Sequence, residues 1–145
     1  MLQHRQPRRG VTLVECALIY PLTFMLILGI LIGGLGMFRY QEVASLAREG
    51  ARYASVRGAK YAQTVAGATA ATQDDVYNNA IKPRLVMLDE SQLNCKQTGV
   101  NWVTWPDGDN KQGSHVKVKV DYVWVPEAYL GGITLSSTST MTVAY

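Results

Sequence analysis

The sequence holds two cysteines and two histidines. Cys16 lies in an apolar amino-terminal region and Cys95 far along the polar remainder, so no disulfide framework is expected. His4 and His115 are too few and too scattered for a metal site, and neither metal nor cofactor is expected. The chain also lacks HExxH, GxSxG, a Walker-type phosphate loop and CxxC. These absences leave the metalloprotease, α/β-hydrolase, nucleotide-hydrolase and dithiol-redox classes without a motif, and the chain is not expected to be an enzyme.

Charge is scarce and unevenly placed. Charged residues make up 17% of the chain, and Arg5, Arg8 and Arg9 account for the whole formal net charge of +3. Beyond Gly10 acids and bases balance, so there is no sustained basic face and no nucleic-acid partner is expected. With 48% hydrophobic residues the composition is that of a folded chain rather than a disordered one.

The longest absence of charge runs from Cys16 to Phe38. As a helix that stretch measures about 35 Å at roughly 1.5 Å per residue, against a bilayer core about 30 Å thick. The chain has no second apolar run of this length, so residues 11–38 are expected to form one transmembrane helix. Pro21 removes a backbone donor and crowds the carbonyl of Ala17, which predicts a kink. Gly29 and Gly33 form a GxxxG pair that permits close helix packing, although glycine is common in membrane helices. Thr23 can bond to a backbone carbonyl.

Ahead of the apolar run, MLQHRQPRRG is polar and positive, contains Pro7, and reads as an address rather than as core. Three readings are open on the residues alone: a cytoplasmic tail, a secretory signal, or a dedicated leader. The apolar run is longer than a usual signal core, and Glu15 stands at its entrance. A carboxylate at the membrane edge is either solvated at the headgroups or retained for a partner.

RRG followed by VTLVE resembles a type IV prepilin processing site. GVTLVECALIYP and then LAREGARYA resemble the TadE-like pseudopilin family, with matching positions at Gly10, Glu15, Ala17, Pro21, Arg48, Gly50, Ala51 and Arg52. The resemblance covers about the first 55 residues, and Cys16 departs from the phenylalanine more usual there. It implies cutting by a prepilin peptidase between Gly10 and Val11. It also implies that Glu15 engages the free amino group of a neighbouring subunit's Val11 during assembly. The implied partners are the membrane, the peptidase, other pilins or pseudopilins and the Tad assembly proteins. The implied location is the bacterial inner membrane, amino terminus in the cytoplasm and the rest exported. The flanking arginines alone do not choose that orientation, because Arg39, Arg48, Arg52 and Arg57 follow the span as Arg5, Arg8 and Arg9 precede it.

Residues 39–145 are expected to form one exported α+β domain. Val43, Leu46, Ala47, Gly50, Ala51 and Ala54 recur at three- and four-residue steps, predicting that the helix continues through 39–70 with an unusually small apolar face. Gly58 and Gly67 weaken it toward an end or break between 58 and 72. A second helix is expected over 72–90, opened by a capping box from Thr72 to Asp75 and ended or kinked by Pro83. Residues 92–145 are expected to supply about three antiparallel strands. In one, Val116, Val118, Val120, Tyr122 and Trp124 share a face; in the last, Ile133, Leu135, Met141, Val143 and Tyr145 do. A weaker strand is expected over 93–105. Asp107, Asp109 and Asn110 lack the later ligands of a calcium loop and read as a polar turn. Trp102, Trp105 and Trp124 read as core or sheet-edge residues rather than a sugar platform. The fold class expected is therefore α+β and pilin-like, with a structural role in a Tad-type pilus or secretion apparatus. The alternative is a single-pass envelope protein whose exported domain binds a surface ligand.

Overall fold

The computed structural model describes residues 9–97, 99–126 and 131–144, apart from the side chains of Arg9 and Val11. Most of the leader, residues 127–130 of the link between the last two strands, and Tyr145 lie outside the described residues. The chain divides into two compact units, Met1–Leu35 and Gly36–Tyr145.

The described part of the first unit is helix. It belongs to α1, Arg9–Ser55, which runs without interruption through Pro21. Leu13, Leu18, Met25, Ile30 and Leu31 are all mostly exposed, so this stretch has apolar side chains on every side and no protein core of its own. Thr23 Oγ1 donates to the carbonyl of Ile19 at 2.9 Å, one turn back.

In the second unit, the rest of α1 packs on a three-stranded antiparallel sheet of order β1-β2-β3: β1 Val103–Thr104, β2 His115–Trp124 and β3 Ile133–Thr142. The expected small face of the helix is the buried one: Val43, Leu46, Ala47, Ala51 and Ala54 are each 1% exposed or less. Every second residue of β2, from Val116 to Trp124, is buried against it. A Cβ on Gly50 would stand 3.1 Å from Val118 Cγ1, and one on Gly36 only 2.6 Å from Trp124 Cζ3. At the far end, Ala144 donates its N–H to the carbonyl of Ser55 at 2.8 Å. Helix and β2 therefore run alongside each other in opposite senses. Fourteen helical residues rise about 21 Å and six strand residues about 20 Å, so the two contacts share one register. Side chains no larger than hydrogen or methyl at Gly36, Ala47, Gly50, Ala51 and Ala54 let the backbone approach the sheet.

The architecture is α+β as expected, but several boundaries differ. The helix expected to continue to about residue 70 stops at Ser55, and only α2, Ala59–Thr64, follows. Tertiary backbone bonds take over there: Ala59 N–H donates to Asn110 O at 2.9 Å and Ala71 N–H to Arg57 O at 2.8 Å. The second helix is short. The Thr72–Asp75 capping box is present and opens α3, Gln73–Val76, which passes into a π turn over Tyr77–Ile81 and a 3₁₀ turn over Lys82–Arg84. Pro83 has no N–H to continue the ladder, and Leu85 is extended.

The stretch 93–105, expected as a strand, holds a 3₁₀ turn at Asn94–Lys96 and mostly irregular backbone after it, with only Val103–Thr104 in the ladder and a lone bridge from Leu93 to Tyr122. Asn94 explains this. Its buried side-chain amide donates to Lys119 O and accepts from Asp121 N–H, both at 3.0 Å. A side chain thus supplies the pairing that a neighbouring strand's backbone would give. β3 pairs with β2 over its whole length in unbroken register. Its inward residues Leu135, Ser137, Ser139 and Met141 are only half-buried, because it is an edge strand. Trp102 and Trp124 are buried and Trp105 is half-buried, as core and sheet residues.

Candidate functional site

The residues expected to carry processing and assembly lie along the first unit. Gly10 and Val11 are already within the helical backbone of α1, and Gly10 is exposed with open space where a Cβ would be. Glu15 is exposed. Glu15 follows Val11 by four residues, about one helical turn along the backbone. Pro21 lines a shallow apolar concavity with Tyr20, Thr23, Phe24 and Ile27. A Cβ on Gly29, Gly33 or Gly34 would meet nothing within 4 Å, so the GxxxG face is open. These positions are strung along the helix, as a surface for packing would require; they do not converge on a cavity.

The helix is long and apolar enough to cross a membrane, and none of its most apolar window is buried inside the protein. Cys16 and Cys95 are both free thiols. Burial pushes the Cys95 thiol up to about 12, which keeps it protonated and poorly nucleophilic at neutral pH. Among the described residues no three of His, Cys, Asp and Glu gather as metal ligands.

The electrostatics of the second unit are those of a scaffold. The Glu42 carboxylate accepts the backbone N–H of Val86 at 2.8 Å and of Met87 at 3.2 Å, pinning that strap to α1. Glu49 pairs with Arg84 at 2.5 Å. Both acids of this helix segment are thereby turned toward residues 84–87, while Arg48 and Arg52 are exposed. Asp107 accepts from His115 N–H at 2.6 Å and lies 2.9 Å from His115 Nδ1; Asp109 accepts from Ser114. These bonds hold both carboxyls below the usual range and close the turn in which Gly108 and Gly113 take positive φ. Tyr77 donates to Glu90. Burial, with that carboxylate alongside, raises the tyrosine hydroxyl, and the bond lowers the Glu90 carboxyl. Nothing in the sequence pattern flagged Glu42 or Asn94, because the groups they bond lie 25 to 45 positions away.

Residues 10–52 match the model of the family described as TadE-like protein. No curated protein and no solved structure matches the chain.

Proposed function

We propose that this chain, TadE-like over residues 10–52, is a minor pseudopilin: a structural subunit in the assembly of a Tad-type pilus or secretion apparatus. The observation that carries the reading is the coincidence of that match with an apolar helix that has no protein core around it. Such a helix needs lipid or neighbouring helices to cover it. In this reading residues 1–10 are a leader removed by a prepilin peptidase, 11–38 hold the subunit in the inner membrane, and 39–145 lie outside the cytoplasm. Pro21 lets the helix bend, Gly29 and Gly33 let it pack closely, and Glu15 meets the Val11 amino group of the neighbouring subunit. The second unit contributes a scaffold and a surface rather than a reaction centre.

Mass spectrometry of the amino terminus of the chain recovered from its own membrane tests the reading. The expected mature chain begins at Val11. An intact Met1, or a cut near residue 36, removes the pseudopilin assignment and leaves a membrane-anchored protein that is never assembled.

A further inference from the structure

The second unit begins at Gly36, two residues before the apolar run ends at Phe38. Because β2 runs against α1, the Trp124 end of the sheet lies beside these first turns, with Trp124 against Gly36 and the Arg39 guanidinium 5.3 Å from the indole centroid. Ile133 pairs with Trp124 across the ladder, and Val125 follows it. On another side of the helix, Glu42 holds the Val86–Met87 strap one turn past Phe38. Both segments bring large apolar side chains to the same end: Val86 is 80% exposed, Val125 55%, Met87 54% and Ile133 48%. Tyr40 is exposed there too. Met37, Phe38 and Val123 are exposed at this end as well. Elsewhere in the unit, among the described residues, the exposed large apolar side chains are Val56 and Val65, which line one shallow concavity, and Val100, which stands apart.

We infer that this end of the unit rests in the bilayer, with Val86, Met87, Val125 and Ile133 at the boundary between headgroups and acyl chains. The inference rests on the reading of α1 as a membrane span. The patch lies at the end of the unit where the chain enters it, at Gly36. Its chemistry is that of an interfacial belt: exposed aliphatic tips and the phenol of Tyr40, with the Arg39 guanidinium nearby over the buried Trp124 ring. Of the two acids turned toward residues 84–87, Glu42 is occupied by backbone donors and Glu49 by Arg84, so neither is left to oppose approach to headgroups. Lipid is therefore the occupant, and this end of the exported unit meets the membrane surface through two segments, Val86–Met87 and Val125 with Ile133.

The test uses the full chain in vesicles of phosphatidylcholine and phosphatidylglycerol, in a Cys16→Ala/Cys95→Ala background checked for fold by circular dichroism. Single nitroxide labels go on Val86→Cys, Met87→Cys, Val125→Cys and Ile133→Cys, with Val65→Cys and Val100→Cys as exposed controls and Ile27→Cys as a span control. Collision rates with oxygen and with a polar nickel chelate are compared by electron paramagnetic resonance. The expected result is an oxygen-to-nickel ratio severalfold higher at the four patch sites than at Val65 and Val100. Ratios matching those controls, with Ile27 still oxygen-rich, overturn the seating alone. A polar ratio at Ile27 overturns the span and the seating with it. Dipolar broadening at the patch that vanishes on dilution with unlabelled chain, without an oxygen preference, assigns the patch to a second copy and also overturns it.

Discussion

Gly36 and Trp124 touch so closely that a Cβ on the glycine would stand 2.6 Å from Cζ3 of the indole and 2.9 Å from Cη2. Three residues earlier on the same helix, a Cβ on Gly33 would meet nothing within 4 Å. The same substitution at the two sites should therefore have opposite signs. Gly→Ala in an open helix position gains about 1 kcal/mol of propensity. At Gly36 the buried ring must shift, and overpacking of this kind costs about 1–3 kcal/mol. Thermal unfolding in detergent should show Gly36→Ala melting below the parent chain and Gly33→Ala at or above it. Recovery of the loss in Gly36→Ala/Trp124→Leu would tie it to the ring. Equal melting of the two single variants would remove the close contact as a constraint.

Glu42 fastens the strap through two backbone donors on Val86 and Met87. Glu42→Ala leaves those N–H groups to water and should cost about 0.5–1.5 kcal/mol for each bond lost. The local effect is the sharper readout. Amide hydrogen exchange at Val86 and Met87 should quicken while exchange in β2 changes little. Unaltered protection at both amides would show that the strap is held by something else.

Acid should loosen the second unit. Asp107, Asp109, Asp75 and Glu90 have carboxyls held below their ordinary values by hydrogen bonds from His115, Ser114, Thr72 and Tyr77 respectively. Depressed folded values mean that these groups add stability above the unfolded carboxyl pKa of about 4, and that it is lost as pH falls through the folded values. Melting temperature should be flat from pH 7 to 5 and drop below about pH 4. Asp107→Asn/Asp109→Asn should flatten part of that drop, and an unchanged acid limb would argue against the turn as a contributor.

Glu15 is exposed on α1. Glu15→Ala should leave the chain folded and cleavage after Gly10 largely intact, while reducing incorporation into an assembled complex. Counting mature subunits in purified assemblies checks this, and normal incorporation would sink the role proposed for the carboxylate.

Much of the fold was legible wherever a structural rule acts over a few residues. The three- and four-residue spacing from Val43 to Ala54 named the buried face of the helix, alternation from Val116 to Trp124 named the buried face of β2, and Thr72 with Asp75 named a cap. The last strand was harder. Its alternation placed Leu135 and Met141 inward, but Ser137 and Ser139 share that side and all four stay half-exposed at the sheet edge. The stretch 93–105 misled because Leu93, Trp102 and Val103 are buried as strand residues would be, yet the backbone pairs with β2 only in short pieces and an asparagine side chain bonds to it between them.

By itself the sequence determined the apolar helix, the small-residue face that follows it, the spacing from Gly10 to Glu15 and the alternation of the long central strand. Each is set by helical or strand periodicity between near neighbours. Only the tertiary structure decided that α1 stops at Ser55, that Asn94 replaces a strand, that Glu42 holds residues 86 and 87, and that Gly36 rather than Gly33 is the crowded glycine. In each case the deciding atom belongs to a residue distant in the chain, and a local pattern carries no information about which distant group will be brought beside it.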